Sequence, residues 1–242
     1  MEFEKIYLEQ VDSTNEFVKR LENEISIDTS KGIVVCAAHQ TKGKGAGSNV
    51  WESNTKENLL FTIALKPDID AVNQFLLSKI VSLALIDFFS TYGLNAKIKW
   101  PNDILIDRKK IAGILIENSV LGDKISFCAI GIGININQKI FSLNPKATSL
   151  ATETNQNYDL KILLDKFLAK FEFWYNQKNN VSIIDNVYFA KLFGIDQFFE
   201  YKYQTDYFDA KIDDIDNFGR LVLIDRNNKK FVFGFKQVEM IY

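Results

Sequence analysis

Two stretches concentrate the side chains that could do chemistry. Residues 99–103, KWPND, put a bulky aromatic, one of only three prolines, an amide and a carboxylate straight after an extended run and before the apolar ILI of 104–106. Pro101 lacks an N–H and biases Trp100 away from helix, so the chain can turn and aim Asn102 and Asp103 into a site. In residues 130–137, IGIGININ, strand alternation puts four isoleucines on one face and Gly131, Gly133, Asn135 and Asn137 on the other. The isoleucine face belongs against helices. The other offers bare backbone and then amides, a floor that something flat can approach, although a bulge or barrel bend would use the same glycines. Gly113 in IAGIL extends that floor.

Other groups gather round this floor. Lys110, at a hairpin mouth near Asp103, is either a solvated lysine or a positive charge fixed beside a phosphate or carboxylate anion. The loop KGKGAGS at 42–48 has neither the P-loop order nor the Rossmann spacing. With Lys42, Lys44 and Trp51 it reads as a lid over an anion or as a plain surface loop. In DSTN, residues 12–15, Ser13 and Glu16 are spaced as a capping box at a helix start. The same stretch offers Ser13, Thr14 and Asn15 as clustered donors and acceptors for a polar heterocycle. His39 is the only histidine, and no paired Cys/His spacing suggests a structural zinc.

The elements that must position these residues follow from pattern. KIYLEQVD is a strand, 13–24 a helix, GIVVCAAHQ a buried strand and LLFTIAL another, ended by Pro67. A long helix, apolar on most sides, runs from about Asp70 to Tyr92. AKIKW…DILID, IAGILIENSV and KISFCAIGIGINI are successive antiparallel strands, the first two joined by a short RKK turn. Leu160, Leu164, Phe167, Phe171 and Trp174 mark a helix over about 159–177. The tail then breaks into short strands, FFEYKYQ, YFDAKIDDI, GRLVLID and KFVFGF, between Asn/Gly-type turns. The fold class is α+β: a mostly antiparallel sheet with helices on one side over 1–190, then a small β-barrel over 191–242.

Composition bounds the partners. A net charge of −2 gives no basic footprint for nucleic acid. Only four arginines are present, so lysines and backbone N–H groups must carry most anion binding. Cys36 and Cys128 lie inside apolar runs, a reducing-compartment pattern of two buried thiols. The N-terminus has no signal-peptide core, and 75–89 is broken by Ser78, Lys79, Ser82 and Asp87, too polar and short for a bilayer. A cytoplasmic protein without a membrane partner is expected.

Together these stretches resemble a biotin–protein ligase. The family's STN is matched at Ser13–Asn15. Its QT-x-G-R-G…W loop is matched in part by Gln40, Thr41, Gly43, Lys44, Gly45 and Trp51. Its KWPND stands at 99–103, its K-[VIL]-AGIL-x-E at Lys110–Glu117, and its G-[IA]-GIN-x-N at Gly131–Asn137. The resemblance spans Ser13 to Asn137 and implies the fold, with a class II synthetase-like catalytic domain and an SH3-like tail.

It also implies ATP-dependent activation of biotin as biotinyl-5′-AMP, with Mg²⁺ accompanying ATP and no structural metal. Transfer to a lysine of a biotin carboxyl carrier domain of acetyl-CoA carboxylase or a related carboxylase follows. By this likeness Ser13, Thr14, Asn15, Gln40 and Gly113 hold biotin, and Lys110 bridges its carboxylate and the α-phosphate. Lys44, Gly45, Trp51, Asn102 and Asn135 hold the nucleotide. Asp103 faces the phosphates, Mg²⁺ and the incoming lysine. The loop departs from the family's arginine-rich form, with Lys44, Ala46 and Asn49 at the arginine positions and Lys42 as a compensating cation. The chain opens at the catalytic strand, so the family's DNA-binding segment is not expected; pairing of two copies through their sheets is a family habit. Lipoate–protein ligases share the fold and the adenylation logic, but intact KWPND and STN favour biotin. A non-catalytic biotin or nucleotide sensor is the rival of another class.

Overall fold

The structure is a computed structural model that describes residues 2–24, 31–45, 47 and 49–242. Its elements run β1 (Glu2–Val11), α1 (Thr14–Glu24), β2 (Lys31–Gln40), β3 (Leu59–Leu65), α2 (Phe75–Ser90), β4 (Lys97–Lys99), β5 (Asp103–Ile106), β6 (Lys109–Leu121) and β7 (Lys124–Ile134). Then follow α3 (Leu150–Thr154), α4 (Leu160–Asn176), α5 (Val181–Ala190) and the strands β8 (Phe199–Tyr203), β9 (Asp206–Ile215), β10 (Leu221–Asp225), β11 (Lys230–Phe233) and β12 (Val238–Ile241). A seven-stranded mixed sheet has the order β1-β2-β3-β7-β6-β5-β4, and a five-stranded one the order β11-β10-β9-β8-β12. In the large sheet β1 and β2 are parallel and the other pairings antiparallel.

The isoleucine face of β7 is buried as its alternation requires: Ile130, Ile132, Ile134 and Ile136 join one core with α2, α4 and α5. The expectation of helices on one side describes those three. Helix α1 departs from it and covers the opposite face, because β2 is apolar on both faces. Ile33 and Val35 meet Val18 of α1, while Val34 and Cys36 face the main core. The reciprocal capping box at Ser13 does not form. Asp12 Oδ1 accepts the Ser13 N–H at 2.8 Å, and Glu16 instead accepts from Lys44.

Helix α5 and strand β12 were not evident in the sequence. The β-branched Val181, Ile183, Ile184 and Val187 blur a helical pattern in α5. Its place is set by tertiary contacts: Tyr188 packs edge-on to Phe75 of α2, and Asp185 pairs with the buried Lys79 at 2.6 Å. The helical run Ala71–Ser90, 20 residues, falls within the expected 70–92, but with a mean hydropathy of 1.5 it is long and apolar enough to cross a bilayer by length and composition, against the expectation that 75–89 is too polar and short. Its burial within the fold accounts for that apolarity: Lys79 and Ser82 are among its buried residues.

Two local features aim the functional side chains. The turn between β5 and β6 falls at Asp107–Arg108, both with positive φ, and shares only Arg108 with RKK, so Lys109 and Lys110 already belong to β6. Beyond it the register slips by one residue: Leu105 pairs with Lys110, but Ile104 with Ala112. This bulge reverses the alternation, since a one-residue shift moves a side chain to the other face. Strict alternation would set Lys110 and Gly113 on opposite faces; the bulge brings them together.

In the KWPND hairpin Lys99 pairs with Asp103, and the Trp100–Pro101 bond is cis. Trp100 turns inward. Its Nε1–H donates to Gly219 O at 2.9 Å across the boundary between the two sheets, and its ring meets Phe235 edge-on. Trp100 therefore locks the site-forming turn to the C-terminal sheet. Trp100→Ala is expected to cost about 3–5 kcal/mol, as for other buried aromatic truncations, read as a lower urea midpoint at unchanged slope; an unchanged midpoint would mean that the two sheets do not depend on this anchor.

Candidate functional site

Three glycines make the floor of a pocket. Gly113 on β6 pairs with Gly133 on β7, and Gly131 lies two pairs further along on the same face, opposite Leu115 and Thr62. A Cβ added at Gly131 would meet Asn15 Oδ1 at 2.4 Å, one at Gly133 would meet the Trp51 indole at 2.5 Å, and one at Gly113 would meet the same ring at 2.8 Å. The side chains above lie directly on backbone, which no larger residue permits. Ser13, Thr14, Asn15, Gln40, Lys44, Gly45, Trp51, Asn102, Lys110 and Gly113 all line this pocket, as the sequence led one to expect. Asp103 lines an adjoining cleft with Lys110, and Asn135 a second one with Trp51 and Lys110.

At one end of the floor the hydrogen-bond directions are fixed by partners that can act in only one way. Asn15 Nδ2 lies 3.2 Å from Leu115 O and 2.8 Å from Glu117 Oε2, both acceptors only, so the nitrogen must face them. Asn15 Oδ1 is thereby turned to the other side, where the buried Thr62 hydroxyl donates to it at 2.6 Å and one lone pair remains. Gln40 is fixed in the opposite sense. Its Oε1 accepts the Thr14 N–H at 2.8 Å, which leaves Nε2 as a free donor. Lys19 holds Glu117 in turn at 2.5 Å. The sequence reading missed Thr62, although it is the lone hydroxyl in LLFTIAL, and gave Glu117 no role.

At the other end stands a charged pair. Lys110 Nζ is 2.6 Å from Asp103 Oδ1, with side-chain exposures of 26% and 21%, and lies 5.3 Å from the Trp51 ring centre. Partial burial strengthens such a charge toward an incoming anion. The indole of Trp51 rests on Gly113 and Gly133, and its Nε1 is buried without a hydrogen-bond partner. The open space left in this pocket is only about 40 Å³. That admits a few waters and no bicyclic ring.

Other expected residues sit somewhat differently. Lys44 bonds Glu16 at 2.6 Å; the bond raises the lysine's pKa and lowers the carboxyl's, so both are charged near neutrality. Lys42 is exposed and does not line the three clefts; its N–H is tied to Asp12 O. Asn102 braces β6, its side-chain Nδ2 donating to Ile114 O at 2.8 Å while its main-chain carbonyl accepts the Ile114 N–H. Asn135 donates to Thr148 O at 2.9 Å, and its Oδ1 is buried with no partner. His39 meets Thr55 at 3.3 Å, and Cys36 and Cys128 are buried free thiols, burial pushing Cys36 up to about 12. Ala46 lies outside the described residues. Among the described residues no three His, Cys, Asp or Glu stand together as metal ligands.

Known proteins align with this arrangement. The model of the biotin/lipoate A/B protein ligase family matches residues 7–135. The biotin–[acetyl-CoA-carboxylase] ligase of Paracoccus denitrificans is 33% identical over 178 residues, 70% of this chain and 72% of that protein. The bifunctional ligase/repressor BirA of Bacillus spizizenii is 33% identical over 172 residues, 69% of this chain; the chain spans about half of that relative, 52%. The biotin protein ligase of Aquifex aeolicus, solved with biotin and ATP, shares the fold with a TM-score of 0.80 at 23% identity, covering 98% of both chains. The family match extends over the glycine floor, Lys110 and Asn135 alike, and the chain belongs to the biotin/lipoate A/B protein ligase family.

Proposed function

We propose that the protein is a biotin–protein ligase, which activates biotin with ATP as biotinyl-5′-AMP and transfers it to a lysine of a biotin carboxyl carrier domain. The observation that carries this reading is the fixed polarity of the pocket's inner end. Biotin's ureido ring presents N–H donors and one carbonyl acceptor. Asn15 Oδ1 offers the acceptor, with Thr14 Oγ1 beside it; Gln40 Nε2 and the Ser13 hydroxyl offer donors. The dithiolane of lipoate has no such groups and would leave these atoms unpaired in a buried site, which disfavours it.

The chemistry needs no nucleophile from the protein. Biotin's carboxylate attacks the α-phosphorus of ATP and pyrophosphate leaves; the amine of the acceptor lysine then attacks the acyl carbon and AMP leaves. The protein contributes proximity and charge. Lys110 stands between the two anions that must approach, and Asp103 fixes it and faces the incoming lysine. Asn135, Gly45, Asn102 and Trp51 border the nucleotide, and Lys44 swings from Glu16 to the closed lid. Trp51 leaves the glycine floor as biotin enters. Among the described residues no three His, Cys, Asp or Glu stand together to cage a divalent cation; Mg²⁺ enters as part of the Mg–ATP substrate, with Asp103 the carboxylate nearest its path. The carboxylase named in the Paracoccus relative supports a carrier domain as partner. We assign the catalytic part to 1–190 and the tail to 191–242. Two free thiols suit a reducing cytoplasm.

ATP–pyrophosphate exchange tests the reading. Biotin is expected to support exchange and lipoate to leave it at background; the reverse pattern would make the protein a lipoate ligase, and biotin binding without exchange would make it a sensor. Lys110→Ala should lower exchange by about 10²–10³-fold, the usual cost of losing a fixed counter-charge in a closed site; unchanged single-turnover pyrophosphate release would remove Lys110 from the mechanism. Asp103→Asn should leave biotin affinity within about twofold while slowing Mg–ATP use or amide transfer at least about tenfold, and full activity would reduce the carboxylate to a turn former.

A further inference from the structure

Glu52, the residue after Trp51, has no part in the chemistry above, yet both its carboxylate oxygens are engaged. Oε1 accepts the Ser142 N–H at 2.7 Å and Oε2 the Leu143 N–H at 2.9 Å. These two amides lie in the middle of the segment 138–147, which contains no helix or strand. The segment is not held by core packing, since Ile140 is 76% and Leu143 73% exposed. Its ends are tied elsewhere. Gln138 is held by the Asn54 N–H and Asn58 at one end; at the other, Lys110 N–H bonds Lys146 O at 2.7 Å and Thr148 N–H bonds Lys110 O at 2.9 Å. Glu52 is the tie between.

The same segment forms one wall of a cavity of about 330 Å³, through Phe141, Leu143 and Ala147. The loop end, Val50 and Trp51, forms the facing wall, and Asn135, with its unpartnered buried Oδ1, also lines it. Trp51 also lies on the glycine floor that biotin would occupy. A movement of Trp51 off that floor therefore acts on its neighbour Glu52, and through two charge-assisted bonds on the backbone at Ser142–Leu143.

We propose that Glu52 is a positioning residue that couples the glycine loop to the 138–147 segment, so that biotin entry shapes the wall of the nucleotide cavity. The proposal rests on the ligase reading above. Coupling of this kind is reciprocal: biotin tightens nucleotide binding and nucleotide tightens biotin binding by the same factor.

Calorimetric titration with α,β-methylene-ATP, with and without saturating biotin, tests it on the whole protein. In the wild type, biotin is expected to tighten the analogue by about tenfold, within the usual range of coupling factors. Glu52→Ala should bring that ratio to within about twofold of unity while biotin alone binds within about twofold of wild type; Glu52→Asp, which keeps two acceptor oxygens, should restore part of the ratio, and Glu52→Gln, which keeps one, less of it. An undiminished ratio in Glu52→Ala, a wild type with no coupling, or a loss of biotin affinity equal to the loss of analogue affinity would overturn the proposal. If the wild type binds neither biotin nor the analogue, the ligase reading fails first and takes this proposal with it.

Discussion

Everything in the site depends on how closely side chains approach the sheet at Gly113, Gly131 and Gly133. Each lacks the Cβ that would hold a neighbour away, and a methyl group at any of them would collide with Trp51 or Asn15 at under 3 Å. The cross-strand pairing of Gly113 with Gly133 turns separate motifs into one surface. On that surface a ligand meets main chain, with polar side chains at one end and Lys110 at the other. The isoleucines on the reverse side anchor the surface to the main core, so it is rigid where orientation is needed.

A rigid floor explains why the protein's part can be limited to orientation and charge. Asn15 and Gln40 present opposite hydrogen-bonding ends because Glu117, Leu115 O and the Thr14 N–H allow nothing else. Lys110 and Asp103 hold each other at the other end of the floor. Above this floor the loop contributes Lys44 and Trp51. Under the proposed function, the scarcity of arginine in that loop removes bidentate phosphate contacts and leaves more of the nucleotide's binding to cavity walls, including the segment tied by Glu52.

Much of this was legible in the sequence, for identifiable reasons. The alternation of isoleucine with glycine over 130–134 fixes both faces of that end of β7, and Pro101 marks the turn that leads to Asp103. What escaped the sequence depends on tertiary structure. Lys110 reaches the floor only through a bulge that no pattern announces. Glu16 stands at capping-box spacing, but the tertiary partner Lys44 takes its carboxylate. Thr62 looks like one polar residue in a core strand until Asn15 and Thr14 are folded over it. Lys42 and Lys44 are two residues apart and both exposed, yet only Lys44 lines the pocket, where Glu16 pairs with it.

The central claim is that this floor seats a cyclic urea with its N–H groups toward Asn15 and its carboxylate toward Lys110. A crystal structure of the protein with biotin and α,β-methylene-ATP tests it most directly. The account predicts the ureido ring over Gly131 with a ring nitrogen in hydrogen-bond reach of Asn15 Oδ1, the carboxylate against Lys110, and Trp51 lifted off Gly133. Biotin bound elsewhere, or seated with its carboxylate beside Asn15 and Trp51 still on the floor, would contradict it.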